Sequence, residues 1–422
     1  MKGMDVPDAI QLMGDKQWQE IKSRLTGKFN KMMKGLFRQK GAQLDINILA
    51  SDEAQEFITT HAGILDAGFQ KVEMSDKMRE RLTRSNYIFS GIKTFHELNE
   101  AFPSMLDENG NKKPFERFLN DVQKINDTYN ANYLHAEYNF VQASATMAAK
   151  WEQFSEDGDR YYLQYRTAKD DKVRPEHAAL DGVTLPMSDS FWETYYPPNG
   201  WNCRCTVVQV RKQKYPATEH GEAMSRGEEA MNGERYNIFR FNSGKQGKTM
   251  PDYNPYTIRR CNDCDVAKGK LKLGFVPNYQ LCQGCVMIRK CSEDRNRDNS
   301  AKATKKSPEV KKLQGTTISN PDFNHEVLIT GGSIKEWTNQ PHKEYAAKNS
   351  ILKHIAKVFR EANYIGTIDN FKKKPGVKQS HLFETDVLGE LSWIIVREYE
   401  IGEFVLHSIS DSDKIKTGIR KE

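Results

Sequence analysis

Seven cysteines occur in this 422-residue chain, and four of them form two CxxC pairs, Cys261-Asn-Asp-Cys264 and Cys282-Gln-Gly-Cys285. Each pair brings two thiolates to one short turn, and seventeen residues separate the pairs. This is the spacing of a zinc ribbon, in which both turns share one tetrahedral Zn2+ while the segment between them folds as a hairpin. Four thiolates leave the ion no open position, which makes the zinc structural rather than catalytic. Free thiols or redox pairs are the competing reading of the same residues. Cys291 is left over. Arg259, Arg260, Lys268, Lys270 and Lys272 flank the ribbon and either touch nucleic acid or form a solvated face.

A second group is looser. Cys203 and Cys205 follow a Pro- and Gly-rich turn (Pro197-Pro198-Asn199-Gly200), and His177 and Asp181 precede it. Sharp reversals there bring His177 back toward the thiols, where imidazole and two thiolates suit a metal and Asp181 supplies or orients a fourth ligand. The alternative is two cysteines buried on one side of a strand, with His177 bonding a turn.

A third group lies near the C-terminus, where polar residues interrupt apolar strands: Lys378 and His381, then Arg397, then His407, with His342 upstream and Lys335 and Ser410 in reserve. Histidines and cations on a sheet can cleave RNA without metal. A base takes the 2′-hydroxyl proton, an acid protonates the departing 5′-oxygen, and a cation holds the phosphate charge. Singly, each also reads as a strand residue, an ion-pair partner (Arg397 with Glu384) or a helix start (His342).

These groups need elements to position them. The chain has 63 Lys and Arg against 57 Asp and Glu, a balance only mildly basic. Its length exceeds one ordinary core, which predicts two or three domains. No apolar run approaches the roughly 20 residues of a membrane helix, and the N-terminus lacks a signal peptide's apolar stretch. Synthesis in a cytoplasm, without a membrane partner, is expected, and thiols in that compartment read as metal ligands rather than disulfides.

Residues 1–120 read as helical: Trp18, Ile21, Leu25 and Phe29 recur at helical spacing, as do Leu119, Val122 and Ile125. Ala143, Ala145, Ala148 and Ala149 mark a packing helix, and His96 and His135 carry no partner spacing. Residues 121–215 add a strand at 161–167 and an Asp-Gly hairpin at 181–182. The ribbon occupies 255–290 and a basic flexible linker 291–320. Residues 321–422 predict a strand at 326–330, a Gly331-Gly332 turn, a helix from 343 to 362 and four antiparallel strands (364–369, 378–387, 390–399, 403–410), with the sheet's second face free for a site. The whole is an α+β multidomain chain.

Two stretches also resemble known families. Arg166-Thr167, Asp171, Val173-Arg174, His177, Leu180-Asp181-Gly182, Phe191-Trp192, Pro197-Pro198 and Trp201-Asn202-Cys203-Arg204-Cys205 resemble the signature of phage Mu protein F-like minor head proteins, over about residues 120–212. That resemblance implies head morphogenesis, a place in the virion near the portal, portal or capsid partners, and packaged DNA nearby. Residues 324–420, with GGSIKEWTNQPH, KQSHLFET, SWIIVRE and LHSISDS, resemble phage-associated nucleases of the barnase–EndoU–colicin–RelE (BECR) group. This implies a metal-independent endoribonuclease toxin with RNA as substrate and an immunity partner. The competing class is a purely structural head protein whose last domain binds nucleic acid or capsid partners without cleavage. The absence of an acidic metal-binding cluster in the last unit argues against a DNA-processing nuclease.

Overall fold

Side-chain caps fix where the N-terminal helices begin. Ser51 accepts from the Ala54 amide and Ser75 from the Met78 amide, each satisfying a donor that the first helical turn leaves open. The computed structural model describes residues 15–41, 43–251, 254–256, 278–370, 374–387 and 389–420. It divides the chain into two units, Met1–Ser292 and Glu293–Glu422.

The first unit opens with α1 (Asp15–Phe37), α2 (Asp52–Ala67), α3 (Asp76–Ala101), α4 (Phe115–Asn126) and α5 (Leu134–Asp157). A π-helical turn, Asp127–Asn132, joins the last two. Leu25, Phe29, Met32 and Leu36 bury one face of α1, as the helical spacing predicts. Ala145, Ala148 and Ala149 are likewise buried on α5. The α+β part follows: β1 (Tyr162–Arg166), α6 (Pro175–Ala178), β2 (Thr184–Pro186), α7 (Phe191–Thr194), β3 (Thr206–Val210), α8 (His220–Ala230) and α9 (Ser243–Gln246). The strands form a small antiparallel sheet in the order β2-β1-β3. Close backbone approach seats α9 on α5: a Cβ on Gly244 would lie 2.1 Å from that of Trp151. One continuous apolar core runs from Leu25 to Ile288, so the helical region and the small sheet, read separately from sequence, share an interior.

Helix α10 (Asn278–Lys306) occupies much of the stretch expected as a flexible linker, and α11 (Pro308–Lys311) and β4 (Thr317–Asn320) fill most of the rest. The reason lies in the composition. From Val286 to Lys306 there is no Gly or Pro, and charged, long-chain residues are good helix formers even when too polar to signal a core.

The second unit adds β5 (Phe323–Leu328), α12 (Gly331–Asn339), α13 (Tyr345–Ile351), α14 (Ile355–Glu361), β6 (Asn363–Asp369), β7 (Val377–Val387), β8 (Glu390–Tyr399) and β9 (Phe404–Ser410). The expected four-strand meander is present as β6–β9. It is extended to six strands in the order β4-β5-β9-β8-β7-β6, with β5 and β9 parallel. Gly389 and Gly402 make the hairpin turns at φ +84° and +80°, a region that favours glycine. Gly331 and Gly332 open α12 instead of forming a turn, because Thr330 and Ser333 cap each other reciprocally. The expected single helix is split between α13 and α14 by a 3₁₀ turn, Leu352–His354. Trp337, Leu352 and Phe359 pack with Phe383, Ile394, Val396 and Leu406 on one sheet face. The other face, expected to be free, is largely covered. Trp393 is 1% exposed, Lys416 lies 4.5 Å over its ring, and Arg420 bridges Thr367.

Several ionisable groups are buried in the helical core. Lys93 on α3 donates to Glu137 of α5 (2.6 Å), to the Tyr129 carbonyl of the π-turn (2.7 Å) and to His61 of α2 (3.1 Å), so its three protons all have acceptors. Burial pushes Glu137 up, but Lys93 and His61 outweigh it and hold the carboxyl at about 2. Glu97, one turn along α3, is 0% exposed, with the Asn130 side chain as its hydrogen-bonding neighbour. Burial, opposed by the charge of Lys93, raises it to about 8. The unfolded carboxyl titrates near 4.5, so between about 4.5 and 8 folding retains a proton and stability falls as pH rises. The Glu97→Gln protein is therefore expected to melt higher than wild type at alkaline pH and to lose much of the decline across that window, as read by thermal unfolding against pH. A variant melting lower than wild type at alkaline pH would refute the neutral carboxyl.

Candidate functional site

The first site is built where three short elements meet. Pro175 starts α6 and places His177 inward, and the loop before β3 places Cys203 and Cys205 against it. The cysteines precede the strand rather than lie on it. His177 is 2% exposed, Cys203 4% and Cys205 8%. Nδ1 of His177 lies 3.7 Å from Sγ of Cys203 and 3.6 Å from Sγ of Cys205, and all three donor atoms fall within 4.8 Å of one another. Metal–sulfur and metal–nitrogen lengths of about 2.3 and 2.0–2.1 Å give a tetrahedral N–S edge of roughly 3.6 Å. The triad therefore fits an ion bound through Nδ1, and among the described residues the buried Nε2 has no partner that would turn the ring away.

The surrounding contacts hold this geometry. Tyr165 on β1 donates to Asn199 (2.8 Å), Asn139 on α5 donates to Asn202 (3.0 Å), and Arg174 donates to the Trp201 carbonyl (2.6 Å). Asn202 adopts φ +57°, a left-handed conformation that asparagine tolerates. A hydrogen bond from Cys205 holds the Cys203 thiol well below its ordinary range, against burial, and the same bond with burial pushes Cys205 up. Asp181 does not join the group. Its carboxylate accepts from the amide (2.8 Å) and hydroxyl (3.1 Å) of Thr167 and pairs with Lys169. It is occupied in closing the β1–β2 reversal.

Of the expected ribbon, Cys261 and Cys264 lie outside the described residues, as does the side chain of Cys282. Cys285 is half-buried on α10, where Arg289 donates to its sulfur (3.3 Å).

In the second unit strand register decides which polar residues meet. Cross-strand pairs His381↔Val396 and Ser380↔Arg397 put His381 on the face packed by the helices and Arg397 on the opposite one. His381 is 4% exposed; its Nε2 lies 3.1 Å from Glu398 and its Nδ1 3.0 Å from the Tyr364 hydroxyl. Lys378 (2.6 Å) and Gln379 (2.7 Å) also donate to Glu398. Burial pushes that carboxyl up, but hydrogen bonds from Lys378, Gln379 and His381 hold it at about 2. An ionised Glu398 accepts a hydrogen bond from the Nε2–H of His381. Lys378 is therefore with His381, as expected.

The remaining expected residues lie elsewhere. His342 bonds Ser392 (2.9 Å), six positions along β8 from Glu398, roughly 20 Å at about 3.3 Å per residue. Burial lowers its pKa. His407 occupies the β9 bulge between the pairs Val396↔Leu406 and Ile395↔Ser408, and is half-buried. Ser410 is buried opposite Trp393, and Lys335 is exposed on α12. Sequence reasoning missed Glu398, Tyr364 and an aromatic group of Phe323, His325 and Phe404 around His381. Glu398 was findable, since it follows Arg397 and pairs with Gln379 once register is known.

Residues 109–208 match the family described as Phage Mu protein F like protein, and residues 296–406 match Large polyvalent protein-associated domain 3. A protein of Escherichia phage Mu named for capsid assembly, protein F, is 31% identical over 177 residues, covering 40% of this chain and 38% of that one. The Mu-like prophage FluMu F protein of Haemophilus influenzae is 26% identical over 198 residues, covering 46% and 42%. The chain thus matches less than half the length of these curated relatives. No solved structure matches it. Among the described residues no helix is long and apolar enough to cross a membrane. The chain carries a Mu F-like segment followed by a large polyvalent protein-associated domain.

Asp181→Ala removes two hydrogen bonds to a charged acceptor and is expected to cost about 1.5–3 kcal/mol in chemical denaturation. Elemental analysis of the purified chain should find its metal content unchanged, whereas Cys203→Ser should lose one bound ion. An ion lost in Asp181→Ala would make that carboxylate a ligand after all.

Proposed function

We propose that this chain is a head-associated protein of a Mu-like phage or prophage, acting in head morphogenesis with portal or capsid proteins as partners. Its second unit is a metal-independent endoribonuclease carried in the particle. The observation behind the first part is the match over residues 109–208 to a family that includes a protein named for capsid assembly. The motif that carries this match also builds the His177–Cys203–Cys205 group. That group, like the expected four-thiolate ribbon, holds structural Zn2+: its donors are buried and serve to pin loops together.

The cleavage reading rests on one arrangement. The His381 imidazole sits between a hydroxyl and an ionised carboxylate, with the 60%-exposed side chain of Lys378 beside it. Such a group moves protons near neutral pH, and an adjacent ammonium stabilises charge on a phosphate. The BECR resemblance points the same way. A structural protein that binds nucleic acid or capsid partners without cutting is the second reading, favoured by the near-complete burial of His381.

Two measurements separate these. Co-expressed with the portal and capsid proteins of a Mu-like phage, the chain should sediment with assembled heads, and heads that exclude it would defeat the morphogenesis reading. The full chain should cut RNA but not DNA, equally with and without EDTA, and His381→Ala should lower the rate by about 100-fold or more. A folded chain that cuts neither polymer supports the purely structural protein.

A further inference from the structure

The ring system beside His381 has one exposed member. His325 on β5 lies 4.0 Å from Phe404 at an interplanar angle of 17°, a stacked pair with one ring face covered and the residue exposed. Phe323 connects this pair to the proton-moving groups. Its centroid is 5.1 Å from His325, 5.4 Å from Tyr364 and 4.8 Å from His381. His381 is too buried to meet a polymer, whereas Tyr364 is only half-buried and Lys378 is exposed.

We propose that Tyr364 is the catalytic residue that exchanges a proton with substrate, and that His325 stacks a nucleobase of single-stranded RNA beside it. This rests on the ribonuclease reading and names its substrate class. Aromatic faces bind unstacked bases with little regard to sequence, and a duplex hides its bases from such a platform. With the base on His325, the attached ribose and phosphate extend in this proposal toward Tyr364, whose ring packs on the same Phe323 as His325 (5.4 and 5.1 Å), and toward Lys378, which shares Glu398 with His381.

The Tyr364 oxygen takes the 2′-hydroxyl proton while its own proton passes to Nδ1 of His381. The 2′-oxygen forms a bond to phosphorus, and the bond from phosphorus to the 5′-oxygen breaks. That oxygen leaves with the electron pair and takes a proton from solvent water. The products are a 2′,3′-cyclic phosphate and a 5′-hydroxyl. His381, now an imidazolium beside Glu398, returns its proton to solvent through Tyr364. His381 and Glu398 are thus positioning residues, and Lys378 offsets the phosphate charge.

The test uses the full chain, a fluorescent single-stranded RNA, and the same sequence in 2′-deoxy form as an uncleavable binding probe. Tyr364→Phe should lower kcat by about 100-fold with binding of the deoxy probe unchanged. His325→Ala should weaken probe binding and raise KM about tenfold with kcat little altered, and His325→Trp should restore both. His381→Gln should move the pH profile of kcat, which a merely structural residue would not do. Full activity in Tyr364→Phe, or unchanged binding in His325→Ala while wild type cuts RNA, overturns this inference and leaves the ribonuclease reading standing. Wild type that binds the probe through His325 yet cuts no RNA overturns the ribonuclease reading and the Tyr364 assignment with it.

Discussion

The first unit depends on how a single ammonium is neutralised in its centre. Lys93 is 1% exposed, and a charge so placed is tolerated only when every proton has an acceptor. Its acceptors come from α2, α5 and the π-turn, so satisfying one cation fixes three segments against α3. The π-turn follows from the same demand: its geometry presents the Tyr129 carbonyl inward, and Asn126 and Asn130 are buried beside it. Tyr256, far along the chain, closes the set by donating to Glu137 (2.6 Å). Removing one partner from such a group leaves a buried charge uncompensated, a cost of about 3–5 kcal/mol.

That rigid bundle is the reference against which the loop bearing Cys203 and Cys205 is held. Helix α5 carries Glu137 near its start, and further along it Asn139 bonds Asn202, the Met147 carbonyl accepts from Tyr196 (2.9 Å), and Lys150 bonds Thr206 (2.6 Å). The loop from Tyr196 to Thr206 is thereby fastened at several points to one helix. Two thiols and an imidazole from separate segments stay within 4.8 Å of one another, close enough to hold an ion, because the backbones bearing them cannot drift. The Pro-rich, Gly-rich sequence between them supplies reversals, and α5 supplies their fixed positions.

What the sequence disclosed, and what it hid, follows the range of the interactions. Strands β6–β9 were legible because alternation and the turn glycines Gly389 and Gly402 are local signals. The pairing of His177 with Cys203 and Cys205 was legible from ligand types despite a gap of 26 residues. Helix α10 was not, because a charged, apolar-poor stretch reads as a linker when tertiary support is invisible. Asp181 was misread as a ligand or its support because a carboxylate after a turn serves a cap equally well. Lys93, Glu97 and Glu137 gave no warning, since burial of charge runs against helical amphipathicity. The association of Tyr364, His381 and Glu398 requires the register of three strands, which no single segment encodes.

Glu97 and Glu398 show how environment assigns one residue type to two roles. Both are buried, and burial pushes both carboxyls up. At Glu97 burial outweighs the charge of Lys93 and the Asn130 amide, so it keeps its proton and holds no fixed charge for any neighbour. Glu398 sits at a sheet end where Lys378 reaches in from solvent and Gln379 and His381 donate from within. Three donors outweigh the desolvation, and the resulting anion dictates which nitrogen of His381 carries hydrogen. The remaining nitrogen lies 3.0 Å from the Tyr364 hydroxyl. Lys378, on the strand adjacent to the tyrosine's, helps to hold that anion, which makes it as much a determinant of the site as the imidazole itself.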